Sequence, residues 1–426
     1  MTAVGVSEPV LAPAGSARLL QGLRRDGRAV SLDDHVSRYG ALEPAGDLVD
    51  LVARAGLRGR GGAGFPTAPK LAAVRDARGR AVVVANGAEG EPPSGKDKVL
   101  LAYVPHLVLD GAVAAARCVG AREALVAVSP TVLRPVEQAV SERRASGHDR
   151  GVTLRVVAVP DRFVAGEESA LVQFLNGGPA LPTFTPPRPF ERGVGGAPTL
   201  VQNVETLAHL GLIVRFGAEW FRSAGTIDEP GTALVTLSGA VRVPGVYEIP
   251  LGRPLRALVG DAGGLSADVQ AFLLGGYSGT WIDASAAQTV QLTDAGLTRH
   301  GAALGARAVV ALTASACGVA ETARVARYLA VQSAGQCGPC VHGLAAVADG
   351  LEQLVQHGRR PDHGRIRRSL AAIAGRGACS HPDGAVRFVA SAYRVFEAEF
   401  DRHLHGRPCT ARTSSVLPVP SFGAAA

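Results

Sequence analysis

At 426 residues the chain is too long for one compact core, so two to four domains are expected. Hydrophobic residues make up 47% and charged residues 19%, a balance that excludes a disordered or collagen-like chain. The formal charge is +7, yet aromatic residues are only 5% and no arginine block interleaves with them, so nucleic-acid binding finds no support.

Residues 1–46 read as a leader with little pattern. Glu8, Arg18 and Asp26 surround its one short apolar run, which does not read as a signal peptide, and a cytoplasmic location is the default. From Asp47 a helix is expected: Asp47 can cap, Leu48, Leu51, Val52 and Ala55 share a face, and Gly56 can end it. A glycine loop follows, Gly59-Arg60-Gly61-Gly62-Ala63-Gly64-Phe65-Pro66. Short apolar strands are predicted over 81–85, 124–128 and 154–159, with helices over 106–119 and 132–146 between them. That alternation implies an α/β fold, a doubly wound parallel sheet buried on both faces. The longest apolar stretch, Val99 to Gly120, holds His106, Asp110 and Arg117, so no membrane insertion is expected.

Residues 177–198 are rich in Pro and Gly and read as a loop, and helical periodicity returns over 200–215. Composition then shifts to a small α+β module. Paired strands are expected at 233–237 and 245–249, a helix at 255–259 and a strand at 272–274. From Glu321 to His403 the pattern is a helical bundle, and the Pro-, Ser- and Ala-rich tail after Arg412 is expected to be disordered.

The glycine loop satisfies G-x-G-x-x-G, but a helix precedes it rather than a strand, so the ordinary dinucleotide fingerprint fails on context. Bare backbone there suits close approach of N–H groups to a phosphate or a ring. The only three lysines, Lys70, Lys96 and Lys98, cluster just beyond it among a chain of arginines. Lys70 could supply a point charge to the same anion. Asn86-Gly87-Ala88-Glu89-Gly90-Glu91-Pro92 leaves the carboxyl end of the first strand, where doubly wound sheets bind ligands. Of six cysteines, Cys337 and Cys340 read as a metal, cluster or redox pair, Cys118 as a core residue, and Cys317 and Cys409 as isolated.

Four motifs stand in order: GLRGRGGAGFPT at 56–67, the Asn86 loop, GEESAL at 166–171 and VQNVETLA at 201–208. Together they resemble the NADH-binding, FMN- and iron–sulfur-containing flavoprotein subunit (51 kDa type) of respiratory complex I. The diaphorase subunits of related hydrogenases and formate dehydrogenases share them. The resemblance spans about residues 31–403 and implies an FMN/NAD-binding domain over 47–220, a ubiquitin-like β-grasp (SLBB) module over 231–300 and a helical iron–sulfur-type domain over 305–410. It implies FMN contacts at Gly59, Arg60, Gly61, Lys70, Asn86, Glu89, Gly166, Glu167, Glu168, Val201, Gln202 and Asn203, and Gly62 and Gly64 of the same loop are expected to bind cofactor. Phe65, Glu91 and Glu168 match positions that hold NADH. No side chain is expected to do covalent chemistry, because hydride passes between cofactors and electrons then leave singly.

Several residues depart from the family pattern. Ala88 replaces an aspartate, Leu71 and Ala73 replace aromatics, and Arg188 replaces the phenylalanine of a Pro-Pro-Phe-Pro turn. Phe190 could substitute for that ring, and Arg188 could pair with the extra phosphate of NADPH or sit in solvent. At the cluster, Cys337, Cys340 and Cys379 remain but Ala334 stands where the first cysteine is expected. Three thiolates could hold a labile or three-iron cluster, His342 or His381 could add a ligand, or the site could be vestigial. Two functions follow: an NAD(P)H dehydrogenase passing electrons to a ferredoxin-like or iron–sulfur partner subunit, or a degenerate paralogue kept for binding and assembly.

Overall fold

The computed structural model describes residues 17–24, 26–43, 46–356, 363–407 and 415–420; Cys409 and the first sixteen residues lie outside them. Helix α1 (Leu32–Tyr39) is capped by Ser31 and α2 (Leu48–Ala55) by Asp47, whose carboxylate accepts the Val49 and Asp50 N–H groups. Gly56 ends α2 in the left-handed conformation, φ 71°, as the sequence predicts. The glycine loop doubles back through a Gly59 N–H to Phe65 carbonyl bond of 2.8 Å and enters α3 (Thr67–Arg75).

Strand and helix then alternate as expected. In order they are β1 (Val82–Gly87), α4 (Lys96–Tyr103), α5 (Pro105–Cys118), β2 (Glu123–Val128), α6 (Leu133–Ser146), β3 (Thr153–Ala158) and α7 (Glu168–Leu175). The stretch read as helix from Leu200 opens instead as strand β4 (Thr199–Asn203), and α8 (Val204–Arg222) follows it. Tertiary pairing overrides local pattern here. β4 lies parallel to β1, with Val84 beside Val201 and Asn86 beside Asn203, and completes the sheet order β3-β2-β1-β4. Val83, Ala85 and Val126 face the core shared with α5 and α8, while Val84, Ala127 and Val201 face a smaller core with Leu171. Burial on both faces leaves no alternation for sequence to show.

A mixed sheet comes next. Its elements are β5 (Thr232–Gly239), β6 (Gly245–Pro250), α9 (Leu255–Asp261), β7 (Val269–Leu274), β8 (Thr280–Asp283), α10 (Asp294–Thr298) and β9 (Ala308–Thr313). β5 and β6 pair as expected, in an antiparallel hairpin. β9 falls beyond the anticipated limit at residue 300, yet it occupies the middle of the order β6-β5-β9-β7-β8. The sheet cannot close without it. Helices α11 (Gly318–Val331), α12 (Ala345–Val355), α13 (His363–Ile373), α14 (His381–Val395) and α15 (Glu397–Leu404) form the expected bundle. Among the described residues no single helix is long and apolar enough to cross a membrane.

Two terminal segments are more ordered than their composition suggests. The N–H groups of Arg18, Leu19 and Leu20 all donate to the buried Glu248 carboxylate of β6, and both leucines are fully buried. Beyond the bundle, Val416 and Leu417 donate to Glu321 of α11, and the Pro418 carbonyl accepts the Tyr277 hydroxyl at 2.7 Å. Residues 415–420 are therefore a packed strap, where disorder was expected. Leu417 is 1% exposed. Leu417→Ala is expected to lower unfolding free energy by about 2–4 kcal/mol in urea denaturation; a free tail would leave the midpoint unchanged.

Candidate functional site

β1 and β4 end side by side at Asn86 and Asn203, on the carboxyl edge where open parallel sheets bind ligands. The Asn203 side-chain oxygen caps α8 by accepting the Glu205 N–H at 3.0 Å, and its amide donates to Asp97 at 2.7 Å. Lys96 Nζ lies 2.6 Å from Asp97 and 3.0 Å from Glu205, and all three residues are buried. Burial opposes the Lys96 charge, but Asp97 and Glu205 outweigh it and hold the ammonium above its ordinary pKa. Glu205 also accepts the Leu234 N–H of β5, and Thr236 of β5 accepts the Gly95 N–H. The sheet edge and the mixed sheet are thus joined through one ionic hub. Sequence reasoning missed Lys96, Asp97 and Glu205 in this role; the lysine cluster was the available signal.

The loops that meet at this edge hold one another. The Asn86 amide donates to the Gly166 carbonyl at 2.9 Å, and a side chain at Gly166 would strike the Ala88 carbonyl, 2.3 Å away. A Cβ at Gly61 would stand 3.0 Å from that of Asn203. Gly62 and Gly64 have φ of 115° and 62°, conformations that glycine tolerates. Lys70 pairs with Glu168 at 2.9 Å, both partly exposed at the mouth. Gln202, near the end of β4, is buried, and Phe65 is 58% exposed. Among the described residues, the N–H groups of Gly61, Gly62, Ala63 and Gly64 have no hydrogen-bond partner.

Other expected contacts turn elsewhere. The Arg60 guanidinium is buried away from the mouth and donates to the Pro230 carbonyl at 3.2 Å. Burial and the neighbouring Arg307 lower its pKa to about 10. Val201 points into the smaller core, so only its backbone is available. Glu89 accepts from Ser94, Asp97 and Lys98 and caps α4, while Glu167 caps α7 through Ser169 and Ala170. Phe190 packs on the main core and cannot replace the missing ring. In the same loop Phe184 is 84% exposed, beside Thr183, whose N–H bonds the Ser169 hydroxyl next to Glu168. It is the better aromatic candidate.

Cys337, Cys340 and Cys379 converge between the turn Pro339–Leu344 and the start of α14. Burial opposes the Cys337 thiolate, but the Ala378 and Cys340 N–H groups lower its pKa overall. Burial, then the neighbouring Cys337, raises Cys340 to about 11, and burial raises Cys379. His381 does not offer Nε2 as a fourth ligand, because that atom lies 2.9 Å from the Leu329 carbonyl. Among the described residues no set of three or more His, Cys, Asp or Glu side chains is arranged to hold a metal ion. The three thiols do not fit a four-thiolate cubane. The sheet-edge site does fit FMN by its donor chemistry: free amides and an ammonium for a phosphate, carboxamides for a polar ring edge.

A parallel α/β domain with a phosphate-type loop, a β-grasp sheet and a thiol-bearing bundle define a nucleotide-binding flavoprotein. The Nuo51 FMN-binding domain matches over residues 52–211, the SLBB domain over 234–276, and the NADH-ubiquinone oxidoreductase-F iron-sulfur binding region over 314–403. An NADH-quinone oxidoreductase subunit of Rhizobium meliloti is 34% identical over 90% of this chain and 96% of its own. The NADP-reducing hydrogenase subunit HndC of Solidesulfovibrio fructosivorans is 29% identical over 91% and 83%. A solved NAD+-reducing [NiFe]-hydrogenase chain superposes with a TM-score of 0.79 at 32% identity, covering 87% of this chain; this chain spans 64% of that one. The chain belongs to the family of NADH-quinone oxidoreductase subunits built on the Nuo51 FMN-binding domain.

Glu91 yields a pH prediction. Its carboxyl accepts the Tyr277 N–H at 2.8 Å, yet burial, with the Glu89 charge, pushes its pKa up to about 8 from 4.5. The folded protein therefore keeps a proton there that the unfolded chain has lost. Its contribution to stability is full below pH 4.5 and falls as pH rises towards 8. Glu91→Gln cannot ionise, so its stability relative to the wild type should rise from pH 5 to pH 8 in urea denaturation. A constant difference would contradict the assignment.

Proposed function

We propose that this chain oxidises NAD(P)H on a bound FMN and hands the electrons to an iron–sulfur protein, either a partner subunit or a ferredoxin-like acceptor. The observation that carries this reading is the glycine loop, whose N–H groups at Gly61, Gly62, Ala63 and Gly64 are unpartnered among the described residues, with Gly61 against Asn203 at the sheet's carboxyl edge. Bound FMN supplies hydride acceptance followed by one-electron release. The chain's own residues bind and orient. Gly61, Gly62, Gly64 and Lys70 would hold the phosphate, while Asn86, Gln202, Asn203 and the backbone of Gly59, Arg60, Val201 and Gly166 would frame the ring system. Phe65 and Phe184 present exposed rings for stacking on the nucleotide. Glu168, released from Lys70, would face the nucleotide's hydroxyls, and Glu91 would border the same cleft. Ring placement, rather than acid–base chemistry, supplies the rate.

A second reading, a non-catalytic assembly subunit, draws on the three-thiol site with Ala334 in the fourth position. One preparation separates the two. Protein purified anaerobically should show a flavin visible spectrum and NAD(P)H-dependent dye reduction, with iron below four per chain. No flavin and no turnover after FMN addition would favour the second reading. Lys70→Ala should weaken FMN retention roughly tenfold, the scale of one charge-assisted hydrogen bond. Unchanged occupancy would remove the anion role.

A further inference from the structure

Arg307 immediately precedes β9 of the β-grasp sheet, outside every motif that the sequence singles out. It is the one non-glycine residue among those described with a positive φ, 54°. An arginine held there is strained where glycine would not be, and such strain persists only when surrounding structure enforces it. The side chain is 4% exposed and reaches across to the glycine loop. It donates through Nη1 to the Arg60 carbonyl and through Nη2, at 3.4 Å, to the Gly59 carbonyl. The backbone between these carbonyls is gripped separately, by the Arg60 N–H donating to Thr206 Oγ1 at 2.8 Å. A side chain at Gly62 would point onto the Gly305 carbonyl, 3.7 Å away, so the Arg307 turn also backs the loop's tip.

A peptide unit is planar, with its C=O and N–H antiparallel. Fixing the Arg60 carbonyl on Arg307 therefore turns the Gly61 N–H the opposite way, away from the β-grasp sheet. Gly61 is also the residue that abuts Asn203 at the sheet edge. Placing a second guanidinium beside Arg60 is electrostatically costly: burial first, and then Arg307, lowers the Arg60 pKa. Buried Glu205 offsets part of that cost.

We propose that Arg307 is a positioning residue of the flavin site: from the β-grasp module it sets the peptide planes of the glycine loop so that their amides face the phosphate. The inference rests on the FMN reading above. The test compares the wild-type protein with Arg307→Gly and Arg307→Lys by FMN titration, visible circular dichroism at saturating FMN, and thermal unfolding without flavin. Arg307→Gly removes both donors and relieves the backbone strain. It should unfold no earlier than the wild type, bind FMN at least tenfold more weakly, and show an altered flavin dichroism. Arg307→Lys, a point donor in place of a fork, should fall between the two. If Arg307→Gly does not fold, the lysine variant decides: at least threefold weaker binding supports the role, and wild-type binding overturns it. FMN binding by Arg307→Gly within twofold of the wild type overturns the inference alone. A wild-type protein that takes up no FMN overturns it together with the flavin reading.

Discussion

The buried triad of Lys96, Asp97 and Glu205 is the constraint on which the rest depends. Burying three charges is costly, and a well-packed apolar substitute often does as well for stability. What an apolar substitute cannot do is fix register. Glu205 spends one oxygen on Lys96 and the other on the Leu234 amide of β5, while Asp97 spends an oxygen on Asn203. Each bond has one acceptable partner, so the start of α8, the end of β4 and the edge of the β-grasp sheet meet in one arrangement. Lysine suits this nest because its compact ammonium reaches two carboxylates from one point, and Lys96 is 3% exposed.

From that frame it follows that most polar side chains near the mouth are occupied with one another. Glu89 and Glu167 cap helices, Asn86 ties β1 to the 166 loop, and Asn203 caps α8. The surface left for a ligand is largely backbone. That is the arrangement expected where cofactors do the chemistry and the protein contributes placement: a backbone amide cannot change rotamer, so the ring it holds stays where stacking needs it.

The fold was legible in sequence wherever local chemistry decides conformation. Asp47 and Gly56 bound α2 as their capping preferences require, and the apolar runs read at 81–85, 124–128 and 154–159 lie within one or two residues of the parallel strands β1, β2 and β3. It failed where distant pairing decides. Residues 199–203 carry a pattern that continues smoothly into α8, and only the hydrogen bonds of β1 make them a strand. β9 is another case: its neighbours β5 and β7 are far away in sequence. For the site, residue types and order pointed to the loops that meet at the sheet edge but not to what each side chain does. Arg60 was readable as a basic residue in a glycine loop, yet its guanidinium turns inward to the Pro230 carbonyl while its own carbonyl accepts from Arg307, partners that no local pattern contains.

The segment from Phe163 to Glu168 connects the two halves of the functional problem. Its N–H at Phe163 bonds Gln332 at the end of α11, and the Phe163 ring packs edge-on to His381 and Tyr328, in the bundle that carries the thiols. Its other end supplies the Gly166 carbonyl to Asn86 and the Glu168 carboxylate to Lys70. The charge of Glu167 is felt at Cys379. One short stretch of chain is thus a common wall between the sheet-edge site and the cysteine site. Glu167 caps α7 on one side of that wall and His381 lies against the Leu329 carbonyl on the other, so a shift of either side breaks a hydrogen bond. The separation between the two sites is therefore set by the fold itself. The three thiols stand on the bundle side of the wall and the glycine loop on the sheet-edge side, so a change in the thiol set need not disturb the loops that meet at Asn86 and Asn203.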